Sequence, residues 1–122
     1  MSTKPVVLVT RRLPHAVERR LQRDYDARLN LDDEVYSGDR LLALAAGADA
    51  IIPCHTESLN AEVIACLPES IRAICSFSVG YDHIDLAAAK TRGIVVTNTP
   101  DVLSTATAEI AVLLMLGAAR RA

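Results

Sequence analysis

The chain has 122 residues, enough for one buried core and too few for two full domains. Hydrophobic residues make up 51% and charged residues 23%, the balance of an ordinary folded domain. A net charge of −2 leaves no basic footprint, so no nucleic-acid partner is expected.

Apolar runs then alternate with helix-like segments. Pro5 to Thr10 is β-branched and unbroken, as in a strand covered on both faces. Pro14 suits the first turn of a helix, whose inward face is expected to carry Val17 and Leu21. Tyr25 to Leu31 predicts a second strand, at a sheet edge because of its charges. Ser37 can cap a helix running to Ala46, and Gly47 can close it in a left-handed conformation. Ala48 to Pro53 predicts a third strand. Asn60 caps the next helix, with Leu59 and Ile64 as a hydrophobic staple, and Pro68 lies past its end. Ile71 to Phe77 predicts a fourth strand. Asp85 caps a short helix, Leu86 to Arg92, with Gly93 after it. Ile94 to Asn98 predicts a fifth strand, and a long helix runs from about Ser104 to Arg121.

Strand and helix alternating over short connections imply a parallel sheet with right-handed crossovers. The expected architecture is a flavodoxin-like, doubly wound α/β sheet of about five strands. Arg11, Arg12, Arg19, Arg20 and Arg23 are followed by Asp24, Asp26, Asp32, Asp33 and Glu34, which fits a solvated mixed-charge face. Met1 to Pro5 is polar with no apolar run behind it, so no secretory signal is expected. Ala108 to Ala119 is too short for a bilayer and contains Glu109, so no membrane partner is expected. Cys54, Cys66 and Cys75 are odd in number and form no CxxC pair, which favours buried free thiols in a reducing, cytoplasmic setting.

In such a sheet, ligands bind beyond the carboxyl ends of the strands. Four stretches qualify: Thr10 to Arg12, Pro53 to Thr56, Ser78 to Asp82, and Asn98 to Asp101. The third is the most informative. A glycine between strand end and helix cap lets the backbone turn and approach a ligand, and successive free N–H groups can hold a carboxylate. A plain structural turn capped by Asp82 or Asp85 is the alternative. Cys54 reads as a pocket-lining thiol rather than a nucleophile, since no base partners it. His55 and His83 each stand as a lone histidine on a loop, and no metal site is expected. Glu109 reads as a helix residue without a catalytic role. GxGxxG, GxxxxGK[ST] and a Ser/His/Asp set are all absent from these residues.

The run Ser78 to Arg121 resembles the D-2-hydroxyacid dehydrogenases, in particular their glyoxylate/hydroxypyruvate reductase branch. Gly80 and Asp82, Ile84-Asp85, Gly93-Ile94, Asn98 and Pro100, Ala108-Glu109 and Arg120-Arg121 carry the resemblance. It implies an oxidoreductase that reduces 2-keto acids with NAD or NADP as cofactor. Residues 1–103 would form its substrate-binding lobe, and residues 104–122 a connecting helix leading to an NAD-binding domain. The amides of Val79 and Gly80 would hold the substrate carboxylate, with Val79 also near the nicotinamide. The loop at Cys54 would line the side-chain pocket, and Thr107 would face the cofactor cleft. The dinucleotide loop, the substrate-clamping arginine and the catalytic histidine of the family lie further along its chains. No catalytic residue is therefore expected here, and these 122 residues alone are expected to be inactive. A homodimer is the expected assembly, with self-association of this chain through the helix 104–121. A non-catalytic, dehydrogenase-like corepressor or binding module is the alternative. A phospho-receiver domain is rejected, because Arg11-Arg12 and Pro53-Cys54-His55 stand where its acidic residues would be.

Overall fold

The computed structural model describes residues 3–122; Met1 and Ser2, which open the polar start, lie outside them. The strands are β1 (Val6–Val9), β2 (Asp26–Arg28), β3 (Ala50–Ile52), β4 (Ala73–Cys75) and β5 (Val95–Thr97). The helices are α1 (His15–Asp24), α2 (Gly38–Leu44), α3 (Ala61–Cys66), α4 (Leu86–Thr91) and α5 (Ser104–Arg120). All neighbouring strands are parallel, in the order β2-β1-β3-β4-β5. The expected α/β fold class is observed, with β2 at an edge. Each strand is shorter than its apolar run, because residues at the run ends turn into the loops that build the site.

Pleat alternation divides the sheet residues between two faces. Leu8, Ile51, Ile74 and Val96 point to a layer formed by α2, α3 and α4, where Leu41, Ile64 and Ala89 complete the main core. Val7, Val9, Ala50 and Ile52 point the other way, to α1, through Leu13 and Leu21. The inward stripe of α1 runs through Glu18 rather than Val17, which is exposed. Glu18 is buried because its carboxylate turns back to accept from the Leu13 N–H at 3.0 Å, and so closes the N-terminus of its own helix.

Side-chain caps set the helix starts where expected. Ser37 Oγ accepts from Arg40 N, Asn60 Oδ1 from Val63 N, and Asp85 Oδ1 from Ala88 N. Leu59 and Ile64 are both fully buried on either side of the Asn60 cap. Gly47 and Gly93 end α2 and α4 at φ 70° and 68°, where a side chain would be strained. Two arginines close helix C-termini. Arg28 donates to Leu44 O and Ala46 O, and Arg92 donates to Ile64 O, Ala65 O and Leu67 O.

Two features depart from expectation. None of the three free cysteines is fully buried: Cys54 and Cys75 are half-buried, and Cys66 is exposed because it ends α3 on its outer side. The second face of the sheet is only half covered. α1 lies over β1 and β2, while Val95 is 61% exposed and Thr97 is also exposed. α5 does not cover that half; all its residues are exposed except half-buried Gly117.

Candidate active site

A hollow of about 730 Å³ opens beyond the carboxyl ends of β3, β4 and β5. Cys54 and His55 form one wall, and Phe77 to Gly80 with Asp82 and His83 form the floor and second wall. Thr99, Val102 and Leu103 close the side from which α5 departs. Its position is the one the topology predicts for a ligand.

The stretch after β4 is held by its neighbours in a way that leaves the main-chain donors from Val79 to His83 open. Phe77 N donates to Pro53 O, Ser78 N to Ser76 Oγ, and Thr99 N to Ser78 O. Asn98 Nδ2 donates to the Val79 carbonyl at 2.8 Å. Among the described residues, no protein acceptor takes the N–H of Val79 or of Gly80. Both residues line the hollow. The expected reason for glycine at position 80 is not the observed one. Its φ is not positive, and a Cβ there would meet only Asp82 Oδ2, at 3.6 Å. The turn itself does not require glycine; close approach of something in the hollow would. Asp85, not Asp82, is the helix cap.

The opposite wall rests on a residue that sequence reasoning missed. Glu57 is 3% exposed. Its Oε2 accepts from Thr10 Oγ1 at 2.6 Å and from Cys54 N at 3.0 Å, and its Oε1 accepts from Thr56 Oγ1 at 2.8 Å. One carboxylate thus ties the end of β1 to the loop after β3, with hydrogen bonds strengthened by charge. Arg11 adds a second tie: Nη1 reaches Thr56 Oγ1, while Nε and Nη2 grip Asp33 at 2.8 and 3.0 Å. Asp33 also accepts from Arg12 N, and the Arg11 guanidinium with that amide holds its carboxyl down to about 2. The only signal for this network in the sequence is Glu57 three residues after Cys54, and that spacing by itself singles out no contact.

His55 and His83 are not isolated, as their spacing suggested; both line the hollow. His83 Nε2 lies 3.4 Å from Ser76 Oγ, the same oxygen that accepts from Ser78 N. Burial pushes the His83 pKa below its ordinary value, and His55 adds to the effect, so the ring is neutral at pH 7. Burial and then the charge of Glu57 push the Cys54 thiol up. That keeps it protonated and suits a wall better than a nucleophile. Thr107 lies outside the hollow in the first turn of α5, where its N–H donates to Leu103 O. Glu109 is exposed. Among the described residues there is no cluster that could hold a metal ion.

The arrangement offers open main-chain donors, those of Val79 and Gly80 among them, a neutral imidazole and apolar side chains around one space. That combination can bind and orient a small organic acid through its carboxylate.

Known proteins carry the same lobe. The chain is 43% identical over 120 residues to a glycerate dehydrogenase of Hyphomicrobium methylovorum, covering 98% of this chain and 37% of that protein. It is 36% identical over 118 residues to a glyoxylate reductase of Thermococcus onnurineus, covering 97% of this chain and 35% of that protein. The solved structure of an NADPH-dependent glyoxylate/hydroxypyruvate reductase from Sinorhizobium meliloti, in complex with NADP and malonate, matches with a TM-score of 0.75 at 30% identity. That match covers 94% of this chain and 34% of the solved one. The chain therefore spans about a third of the length of the relatives it matches. A family model, D-isomer specific 2-hydroxyacid dehydrogenase, catalytic domain, matches residues 7–118. With the fold, the sheet order and nearly the whole chain in agreement, this protein belongs to the D-isomer specific 2-hydroxyacid dehydrogenase family.

Proposed function

We propose that this chain is the substrate-binding part of an NAD(P)-dependent oxidoreductase that reduces 2-keto acids of the glyoxylate and hydroxypyruvate type to D-2-hydroxy acids. The observation that carries the reading is the pair of open amides at Val79 and Gly80 on a hollow beyond the strand ends. They receive the substrate carboxylate. Cys54 and its loop line the side-chain pocket, held in place by Glu57. Fixing the acid in this way removes its rotational freedom before reaction, which is where orientation contributes to rate.

The cofactor, NAD or NADP, supplies hydride when bound. On this chain it would meet one flank, at Val79 and Thr107, since no glycine-rich pyrophosphate loop is among these residues. Residues 1–103 act as the substrate lobe and 104–122 as the helix joining it to a cofactor domain. The active assembly is a homodimer in the cytoplasm. Among the described residues, no helix is long and apolar enough to cross a membrane. The catalytic histidine and the substrate-clamping arginine are contributed from outside these residues, and the 122 residues alone do not turn over substrate.

Titrating ¹⁵N-labelled chain with glyoxylate tests the reading. Saturable shifts centred on the Val79 and Gly80 amides are expected, with no oxidation of added NADH. Shifts that leave both amides unmoved, or turnover by the isolated chain, would overturn it.

A further inference from the structure

Two peptide units carry the open donors of Val79 and Gly80, and both are gripped from the other end. In a planar trans peptide the C=O of one residue and the N–H of the next point in opposite directions. Every peptide bond among the described residues is trans. The unit that ends in the Val79 N–H begins with the Ser78 carbonyl, which accepts from Thr99 N at 3.2 Å. The unit that ends in the Gly80 N–H begins with the Val79 carbonyl, which accepts from Asn98 Nδ2 at 2.8 Å. The loop after β5 thus fixes the acceptor end of each unit and leaves the donor end free. One unit earlier the pattern differs. Ser78 N donates to Ser76 Oγ, so that donor is used within the chain and the open run starts at Val79.

The two grips are unlike. Thr99 N is a main-chain donor, which any residue except proline would supply at that position. The bond to the Val79 carbonyl comes from a side chain, and only certain side chains can make it. The residue must follow β5, reach the loop after β4 and present an N–H. Asparagine meets all three conditions; an ionised aspartate of the same shape would set an acceptor against an acceptor. Asn98 is half-buried and is not among the residues that line the hollow, so it makes no contact of its own with a guest there. A hydrogen bond onto a carbonyl also polarises its peptide, which makes the N–H at the far end a stronger donor.

We propose that Asn98 is a positioning residue for acid binding. It holds the Val79–Gly80 peptide so that the Gly80 N–H faces the carboxylate, and it strengthens that N–H by polarising the unit. The proposal rests on the reading of the hollow as a 2-keto acid site, and adds to it a residue that never touches the acid. It also separates the two donors: Gly80 depends on a side chain, Val79 on the main chain of Thr99.

Glyoxylate titrations of ¹⁵N-labelled native chain and of Asn98→Ala, followed at both amides, test it. In Asn98→Ala the dissociation constant is expected to rise about fivefold, the effect of weakening one hydrogen bond. The proton shift induced at Gly80 is expected to shrink while that at Val79 persists, a split that general loosening of the loop would not give. Asn60→Ala removes a helix cap outside the hollow and controls for lost stability; it is expected to keep the native dissociation constant. One readout needs no variant. In the native chain the Asn98 side-chain amide signals are expected to move with the same midpoint as Gly80, because donation by that N–H makes the Val79 carbonyl a better acceptor. Native affinity in Asn98→Ala, equal losses at both amides, or Asn98 signals that stay still while Gly80 moves would each overturn the proposal and leave the acid site standing. A native chain whose Val79 and Gly80 amides ignore glyoxylate removes the acid site, and the proposal with it.

Discussion

Glu57 shows how one buried carboxylate can fix a pocket wall. Its three donors are the Thr10 and Thr56 hydroxyls and the Cys54 main-chain N–H, and of these residues Thr10 is fully buried while Thr56 is exposed. Glu57→Ala leaves the buried Thr10 hydroxyl and the half-buried Cys54 N–H without their acceptor and is expected to cost about 3 kcal/mol, read from the urea midpoint. Asp82 acts in the opposite sense. Its carboxylate stands close to Gly80 and repels any anion that the open amides attract. Asp82→Asn is therefore expected to tighten glyoxylate binding about threefold at low salt, a gain that added salt erases. His83 links the site to pH. Its folded-state pKa lies below the ordinary value of 6.5, so its contribution to stability is present above that value. The contribution is lost as pH falls through the lower, folded value. Urea midpoints that drop from pH 7 to pH 5 in the native chain, and drop less in His83→Gln, are the expected result. The groups that face this ring are His55, Glu57 and Asp82; the two carboxylates raise its pKa, and His55 lowers it with burial.

At the scale of elements, the caps were the most legible part of the sequence. Ser37, Asn60 and Asp85 each bond a main-chain N–H within their own turn, so the signal is local and survives without any knowledge of the fold. Gly47 and Gly93 were readable for the same reason. Asn60→Ala is expected to lower stability by about 1 kcal/mol, with the loss appearing first in the amide exchange of α3. Elements whose fate depends on distant partners were not legible. Val17 and Glu18 are neighbours on α1, and the helical period alone favours Val17 as the inward residue. The bond from Leu13 N reverses that order. The closeness of His55 to His83, and the grip of Arg11 on Asp33, join loops far apart in the chain, which no local pattern reports. That Val79 and Gly80 lie on a hollow beyond the strand ends was legible by position, because topology puts the loop after β4 there. The need for a glycine at position 80 was not: the turn has room for a side chain.

At the largest scale, the described residues cover one face of the sheet along its length and the opposite face over half of it. Three helices seal the face beneath Leu8, Ile51 and Ile74, and α1 seals half of the opposite face. A small bridge near the hollow has a wider effect on ligand entry. Leu59 N donates to His83 O and Asp85 N donates to Leu59 O, a lone parallel pairing between the loops on either side of the hollow. Joined in this way, the loops cannot swing apart independently, and a guest meets a cup already shaped. Its entry along this wall then needs no parting of the two loops, and the Cys54 side and the Val79 side meet it as one surface.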